Sequence, residues 1–271
     1  MGQQDFKDTA LITGASSGIG AVYADRLARR GHDLILVARN RARLDGLATR
    51  LTRETGRQVE VLIADLTLPA DLRRVEARLR SDSAITLLLN NAGFGATAAL
   101  LDSDPDQIER MIQLNVVALT RLTHAAAPGF VARGRGTLIN IASIVALSPE
   151  LLNGSYSGSK SYVVNLSQSL HHELGGKGVR VQVVLPGAIR TEFWDIAGLP
   201  VSNLPQEMVM SADDLVDAAI AGLDAGELIT IPSLPDVGDW QRLDAARLAL
   251  VPKLSRVQPA VRYTAPVLAS R

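Results

Sequence analysis

Tyr156 and Lys160 stand four residues apart in Tyr156-Ser157-Gly158-Ser159-Lys160, inside a stretch patterned as a helix. That spacing stacks the two side chains on one face, about 6 Å apart. A free tyrosine titrates near 10 and is a poor acid or base at neutral pH. A nearby ammonium favours the phenolate and brings the value down. The pair is therefore a candidate proton donor and acceptor. The same spacing also describes an ordinary exposed pair on a helix surface, so it needs company.

Company exists at the ends of apolar runs. Ser143 follows the run 136–142, Asn90-Asn91-Ala92-Gly93 closes the run 86–90, and Pro186-Gly187 follows 179–185. Asn115 lies inside a long predicted helix, 105–133, where asparagine has no propensity reason to be. Each alone reads as a turn or a cap. Together they converge on one edge of one sheet, the carboxyl edge where doubly wound folds bind ligands.

A glycine loop, Thr13-Gly14-Ala15-Ser16-Ser17-Gly18-Ile19-Gly20, joins the first apolar run to the first helix. Three chemistries compete for it. A phosphate-binding P-loop needs a lysine after the last glycine, and Ala21 stands there. A nucleophile elbow needs G-x-S-x-G, which Gly14-Ala15-Ser16-Ser17-Gly18 supplies. Hydrolases of that type place a histidine late in the chain, whereas the last histidine here is His172. Dinucleotide binding needs a tight turn, a bare backbone and free N–H groups at a helix N-terminus. The loop offers all three, as would a merely structural turn. At the end of the second strand an acid would hold the ribose of NAD. This chain has Val37-Ala38-Arg39-Asn40 instead. Arg39 suits charge-assisted bonds to a 2′-phosphate, which favours NADP over NAD.

These groups need a scaffold, and the hydropathy pattern supplies one. Strands are expected at 9–13, 34–38, 59–64, 86–90, 136–142, 179–185 and 227–231. Helices are expected at 18–31, 41–54, 70–80, 105–133 and 155–175. Seven apolar strands alternating with helices predict one α/β domain, a doubly wound sheet of about seven parallel strands with helices on both faces and right-handed crossovers. The expected domain covers 1–234. Two segments break the alternation: an irregular stretch, 187–211, and a tail, 235–271, carrying one helix near 239–250. Long irregular loops are usually lids or interface pieces. The tail holds six basic and three acidic residues, with Trp240, Leu243, Ala246 and Leu250 on one face. It is expected to pack on the same domain or at a subunit interface.

Composition excludes several alternatives. With 271 residues and 47% hydrophobic content the chain can bury a large core. Its 28 basic and 28 acidic residues give no electrostatic reason to expect a nucleic-acid partner. Zero cysteine excludes thiol catalysis, disulfides and thiolate metal sites. No carboxylate or cysteine set has metal spacing, so His171 and His172 read as solvent-facing or interfacial and not as ligands. No signal peptide is read at the start, and no apolar run reaches the ~18 residues of a membrane span. The expectation is a cytoplasmic protein without stable membrane insertion.

The glycine loop, Asn90-Asn91-Ala92-Gly93, Asn115, Ser143, Tyr156 to Lys160, and Pro186-Gly187 with Thr191 together resemble the short-chain dehydrogenases/reductases. The resemblance runs from about 8 to 231. It implies a Rossmann-type fold and an NADP(H)-dependent oxidoreductase interconverting a carbonyl and an alcohol. Tyr156 would be the general acid or base. Lys160 would lower its pKa and hold the nicotinamide ribose, Ser143 would hydrogen-bond the substrate oxygen, and Asn115 would hold a water in a proton relay. Gly14, Ser16, Ile19 and Gly20 would surround the phosphates. Asp65 would meet the adenine, Asn91 and Gly93 the adenosine side, and Ile189 and Thr191 the nicotinamide carboxamide. Ser17, Gly18, Leu66, Ala92, Pro186 and Gly187 complete the implied cofactor contacts. Some NADP-preferring members carry a basic residue where Ser17 stands, so the NADP expectation rests mainly on Arg39. In the family the two long helices pair across a dimer axis, implying a homodimer or homotetramer. Phe94, Leu147, Leu151, Leu152, Phe193 and Trp194 fall near the site and suggest an apolar small-molecule substrate. A catalytically silent NADP(H)-binding sensor of the same fold is the alternative. It would have no use for the Asn115, Ser143, Tyr156 and Lys160 set.

Overall fold

All five residues of Thr9–Thr13 are buried, as a short apolar run ending in glycine requires of a central strand. It forms β1 of a computed structural model that describes residues 8–264. The elements that follow are α1 (Gly18–Arg29), β2 (Asp33–Ala38), α2 (Arg41–Thr55), β3 (Val59–Ile63), α3 (Pro69–Ser81) and β4 (Ile85–Asn90). Next come α4 (Pro105–Ile112), α5 (Leu119–Ala132), β5 (Gly136–Ile141), α6 (Gly154–Leu174) and β6 (Val179–Val184). Then follow β7 (Ala188–Ile189), α7 (Phe193–Ile196), β8 (Val209–Met210), α8 (Ala212–Asp224), β9 (Ile229–Thr230) and α9 (Val237–Leu248). By contact density the chain separates into two units, Met1–Pro232 and Ser233–Arg271.

The first unit holds one seven-stranded sheet in the order β3-β2-β1-β4-β5-β6-β9, with every pairing parallel. This is the expected doubly wound α/β architecture. Alternation along each strand feeds two cores. In β1, Ala10 and Ile12 face α1, α2 and α8 through Tyr23, Leu27, Leu44, Leu51 and Leu215. Leu11 faces the opposite side, with Leu72, Val75, Leu122 and Phe130 from α3 and α5. The chain moves from one side of β1 to the other between β3 and β4, so a crevice opens at the carboxyl ends of β1 and β4. Asn91 closes its floor, its Nδ2 donating to the Thr13 carbonyl at 2.9 Å and to that of Gly14 at 3.2 Å.

The structure departs from the sequence expectation in three places. The 105–133 helix is interrupted by a π-helical segment, Gln113–Ala118, with Asn115 inside it. An additional helix, α8, occupies part of the interval before the last strand. The irregular stretch contains a two-stranded pairing of β7 with β8. Among the described residues no helix is long and apolar enough to cross a membrane. In the second unit α9 is capped by Asp236, which accepts from the Gly238 amide at 2.8 Å, and none of the helix residues is buried.

One charged cluster ties the helices on the first face together. Asp25 of α1 accepts from Arg29 at 2.9 Å, from Arg50 of α2 at 3.0 Å and from Arg26 at 3.2 Å. Arg26 and Arg30 reach on to Asp217 and Asp224 of α8 at 2.8 and 2.7 Å. Burial pushes the Asp25 carboxyl up, but the three guanidinium groups outweigh it and hold it at about 2. A value below that of the unfolded chain adds stability above about pH 4, lost as pH falls towards 2. Asp25→Asn should therefore cost about 2 kcal/mol at neutral pH and little near pH 2. Urea melts of both proteins across that range check the convergence.

Candidate active site

Tyr156 sits in the first turn of α6 because Asn153 caps that helix. The Asn153 Oδ1 accepts from the Ser155 and Tyr156 amides at 2.8 and 3.4 Å, while its Nδ2 donates to the Ala98 carbonyl at 2.6 Å. One turn on, Lys160 is buried, its Nζ donating to the Ile141 carbonyl at 3.0 Å and lying 5.8 Å from the Tyr156 ring centre. The ordinary exposed pair is thereby excluded: both side chains are in the interior. Ser143, just beyond β5, accepts weakly from the Val145 amide at 3.4 Å.

The electrostatics differ from the expectation drawn from spacing. Burial is the dominant influence on Tyr156 and pushes its pKa well above 10, with the Ser143 hydrogen bond pulling the other way. Burial also lowers Lys160, to about 8, and its ammonium does not offset the rise at Tyr156. Tyr156 is thus a neutral hydroxyl, a donor rather than a preformed base.

Asn115 is buried behind this pair. Its Oδ1 accepts from the Phe94 amide at 3.2 Å, and its Nδ2 donates to the Phe94 carbonyl at 2.9 Å and to Ser159 Oγ at 3.2 Å. A Cβ on Gly93 would stand 2.8 Å from Asn115 Oδ1 and 3.6 Å from Lys160 Nζ, so both side chains converge over a residue that must be glycine. A π-helical turn at this point breaks the regular i→i+4 carbonyl pairing beside Lys160, a feature frequent at functional sites.

A cavity of about 430 Å³ brings most of the expected residues together. Ser143, Tyr156 and Lys160 line it, with Gly14, Ser17, Gly18, Ile19, Asn91, Ala92, Gly93, Pro186, Gly187, Ile189 and Thr191. Ser16, in the turn, and Gly20, in the first turn of α1, do not line it. Arg39, Asp65, Leu66 and Asn115 do not line it. Arg39 is exposed at the end of β2, its Nη1 3.7 Å from Asp65 Oδ2, and Leu66 buries its side chain in the core. The Asn90 side chain also turns inward, its Nδ2 donating to Asn140 Oδ1 at 2.9 Å and to Thr123 Oγ1 at 3.0 Å. Of the expected apolar residues Phe94, Leu151, Leu152, Phe193 and Trp194 line the cavity and Leu147 does not. Leu199, Leu204, Pro205 and Met208 also line it. They come from the irregular stretch, where no periodicity marks them.

The turn fits a dinucleotide phosphate. Gly14 has φ +66°, and a Cβ on Gly20 would stand 2.4 Å from the Gly14 carbonyl oxygen, so the backbone is bare. Ser17 at the helix N-cap makes no side-chain capping bond, and the first turn of α1 holds no acid. The positive end of the dipole and its free N–H groups thus face the cavity with no acid in their own turn, and the Glu192 carboxylate on the cavity wall is paired with Arg43.

The family model of the short chain dehydrogenases matches residues 8–197, and the chain belongs to that family. Among curated relatives, the very-long-chain 3-oxoacyl-CoA reductase of Anas platyrhynchos is 34% identical over 193 residues, covering 69% of this chain and 62% of that one. The chain spans about three fifths of the length of such relatives. Among solved structures, a short-chain dehydrogenase from Sphingobium yanoikuyae in complex with NADPH is 52% identical, with a TM-score of 0.91 over 93% of this chain and 98% of the other. The bulky-bulky ketone specific alcohol dehydrogenase from Comamonas testosteroni is 46% identical, with a TM-score of 0.88 over 95% and 99%.

Proposed function

We propose that the protein is an NADP(H)-dependent oxidoreductase that interconverts a bulky apolar ketone and its alcohol. One observation carries the reading. Ser143, Tyr156 and Lys160 share a wall of a cavity bordered elsewhere by an uncapped, glycine-lined helix N-terminus. When bound, the nicotinamide supplies or accepts a hydride. The chain's own groups do the rest. Ser143 and Tyr156 hold the carbonyl oxygen, and the Tyr156 hydroxyl donates a proton as charge develops on it. Lys160 and Asn115 stand behind Tyr156, where they serve to replace that proton from solvent. The aromatic and aliphatic lining excludes water and favours apolar substituents on both sides of the carbonyl. The NADPH complex and the bulky-ketone specificity of the two similar structures support the cofactor and the substrate class. The proposal has the enzyme acting in the cytoplasm as a homodimer or homotetramer. Supporting the oligomer, Ile112 and Tyr162 are exposed on the α4 and α6 helices.

The test is NADPH oxidation with a panel of aliphatic, aromatic and steroid carbonyls. Turnover rising with the bulk of both substituents supports the reading. Tight NADPH binding with no turnover of any carbonyl overturns it in favour of a sensor. Cofactor choice is a separate prediction. Arg39→Ala should weaken NADPH by about tenfold while leaving NADH unchanged, because only a 2′-phosphate uses the guanidinium. Cofactor titrations by fluorescence decide it, and equal loss for both cofactors would remove Arg39 from phosphate recognition.

A further inference from the structure

The segment 188–194 lines the cavity and is held at three points. The Thr191 side chain lies against the turn before α1, since a Cβ on Gly18 would stand 3.1 Å from its Cγ2. The Phe193 ring lies against Gly95, where a Cβ would stand 2.4 Å from Cζ, and its centre is 5.9 Å from that of Tyr156. Between them, Glu192 makes a bidentate pair with Arg43, which lies one turn beyond Arg39 in α2, at 2.5 and 2.9 Å. The first two contacts are packing. The third is a charge pair about half exposed at both ends, and it joins the segment to the helix that follows the proposed 2′-phosphate site. Arg43 holds the Glu192 carboxyl below its ordinary value, so the pair is ionised across the neutral range.

Nothing in the catalytic reading uses this pair. Glu192 lies on the cavity wall, but its carboxylate is directed to Arg43 and not to Tyr156 or Lys160. An exposed ion pair adds little to fold stability, and it opens and closes readily. A bridge with those properties suits a part that must let a ligand in and then retain it. Resting on the NADP(H) reading above, we propose that the Arg43–Glu192 pair is a latch that holds segment 188–194 over the phosphate end of the cofactor cleft and slows cofactor release. Both are positioning residues, not catalytic ones. The latch acts on the segment and not on the 2′-phosphate, so it retains NADPH and NADH alike.

Stopped-flow fluorescence of cofactor displacement from the intact protein tests this. Glu192→Gln and Arg43→Gln should each speed release of both NADPH and NADH by roughly two- to fivefold, the range an exposed ion pair supports. The charge swap Arg43→Glu with Glu192→Arg should restore slow release, which a merely structural defect would not do. Unchanged release of both cofactors from Glu192→Gln overturns the latch. So does a change confined to Arg43→Gln and NADPH, which would make Arg43 a phosphate ligand. If the wild type binds neither cofactor, the functional reading itself falls. Circular dichroism melts of each variant separate faster release from unfolding.

Discussion

Tyr156→Phe is expected to lower kcat for ketone reduction on the order of 10³-fold, the usual worth of a well-placed general acid. It should leave NADPH binding within a factor of two or so, by the same reasoning that only transition-state contacts act on kcat. The ring stays, so its packing against Phe193 and the burial of α6 survive. Only the hydroxyl goes, and with it the proton that must reach the carbonyl oxygen. Ser143 alone would then face a developing oxyanion, since the Lys160 ammonium is bonded to the Ile141 carbonyl. Because burial keeps Tyr156 protonated well above pH 10, its ionisation should not shape the rate of reduction between pH 6 and 9. Single-turnover kinetics with a saturating ketone check the magnitude. A loss below tenfold with normal cofactor binding would mean that another group supplies the proton.

The site was more legible in the sequence than its electrostatics were. Gly14, Ser143 and Gly187 follow from a simple rule, that chemistry gathers where apolar runs end, and Tyr156 from its spacing to Lys160 on a helix; the cavity gathers all four at one sheet edge. Strand parity needed nothing more than continuous apolar runs. The cavity wall at Leu199, Leu204, Pro205 and Met208 was not legible, because these residues follow no period and are set by how the stretch folds back. The pairing of β7 with β8 is only two residues long, too short for any pattern. The α8 helix is different: Leu215, Val216, Ala219, Ile220 and Leu223 carry a 3.6-residue period, so its signal is present in the sequence. The π-helical segment around Asn115 reflects one displaced hydrogen-bond register, which composition does not encode. Spacing put Tyr156 and Lys160 on one face. It could not say that the face is buried, and burial raises the Tyr156 pKa where spacing alone predicts a lowering.

That reversal leads to the second large effect, in which stability and activity move in opposite directions. Lys160→Met should raise stability at neutral pH while abolishing turnover. Burial lowers Lys160 from its ordinary 10.5 to about 8. A cation whose folded value lies below its unfolded value costs stability wherever both states are charged, which is below pH 8. Between about 8 and 10.5 the unfolded chain holds the extra proton, so the wild type gains stability as pH rises, and above that the penalty is gone. The gap corresponds to roughly 3 kcal/mol. Methionine matches the lysine stem in length and carries no charge, but it forfeits the bond to the Ile141 carbonyl, which offsets about 1 kcal/mol. The net gain of about 2 kcal/mol should lift Tm by roughly 5 °C near pH 7. The difference should shrink and then change sign as the buffer is taken past pH 10, where only the lost hydrogen bond remains. Turnover should fall, because under the proposed function Lys160 serves both the proton supply to Tyr156 and the nicotinamide ribose. A Lys160→Met protein that melts below the wild type at pH 7, with the same pH slope, would show that the buried ammonium is compensated in the folded state. Melting curves at pH 7 and 10 on both proteins therefore test whether the site's chemistry is maintained at the expense of the fold.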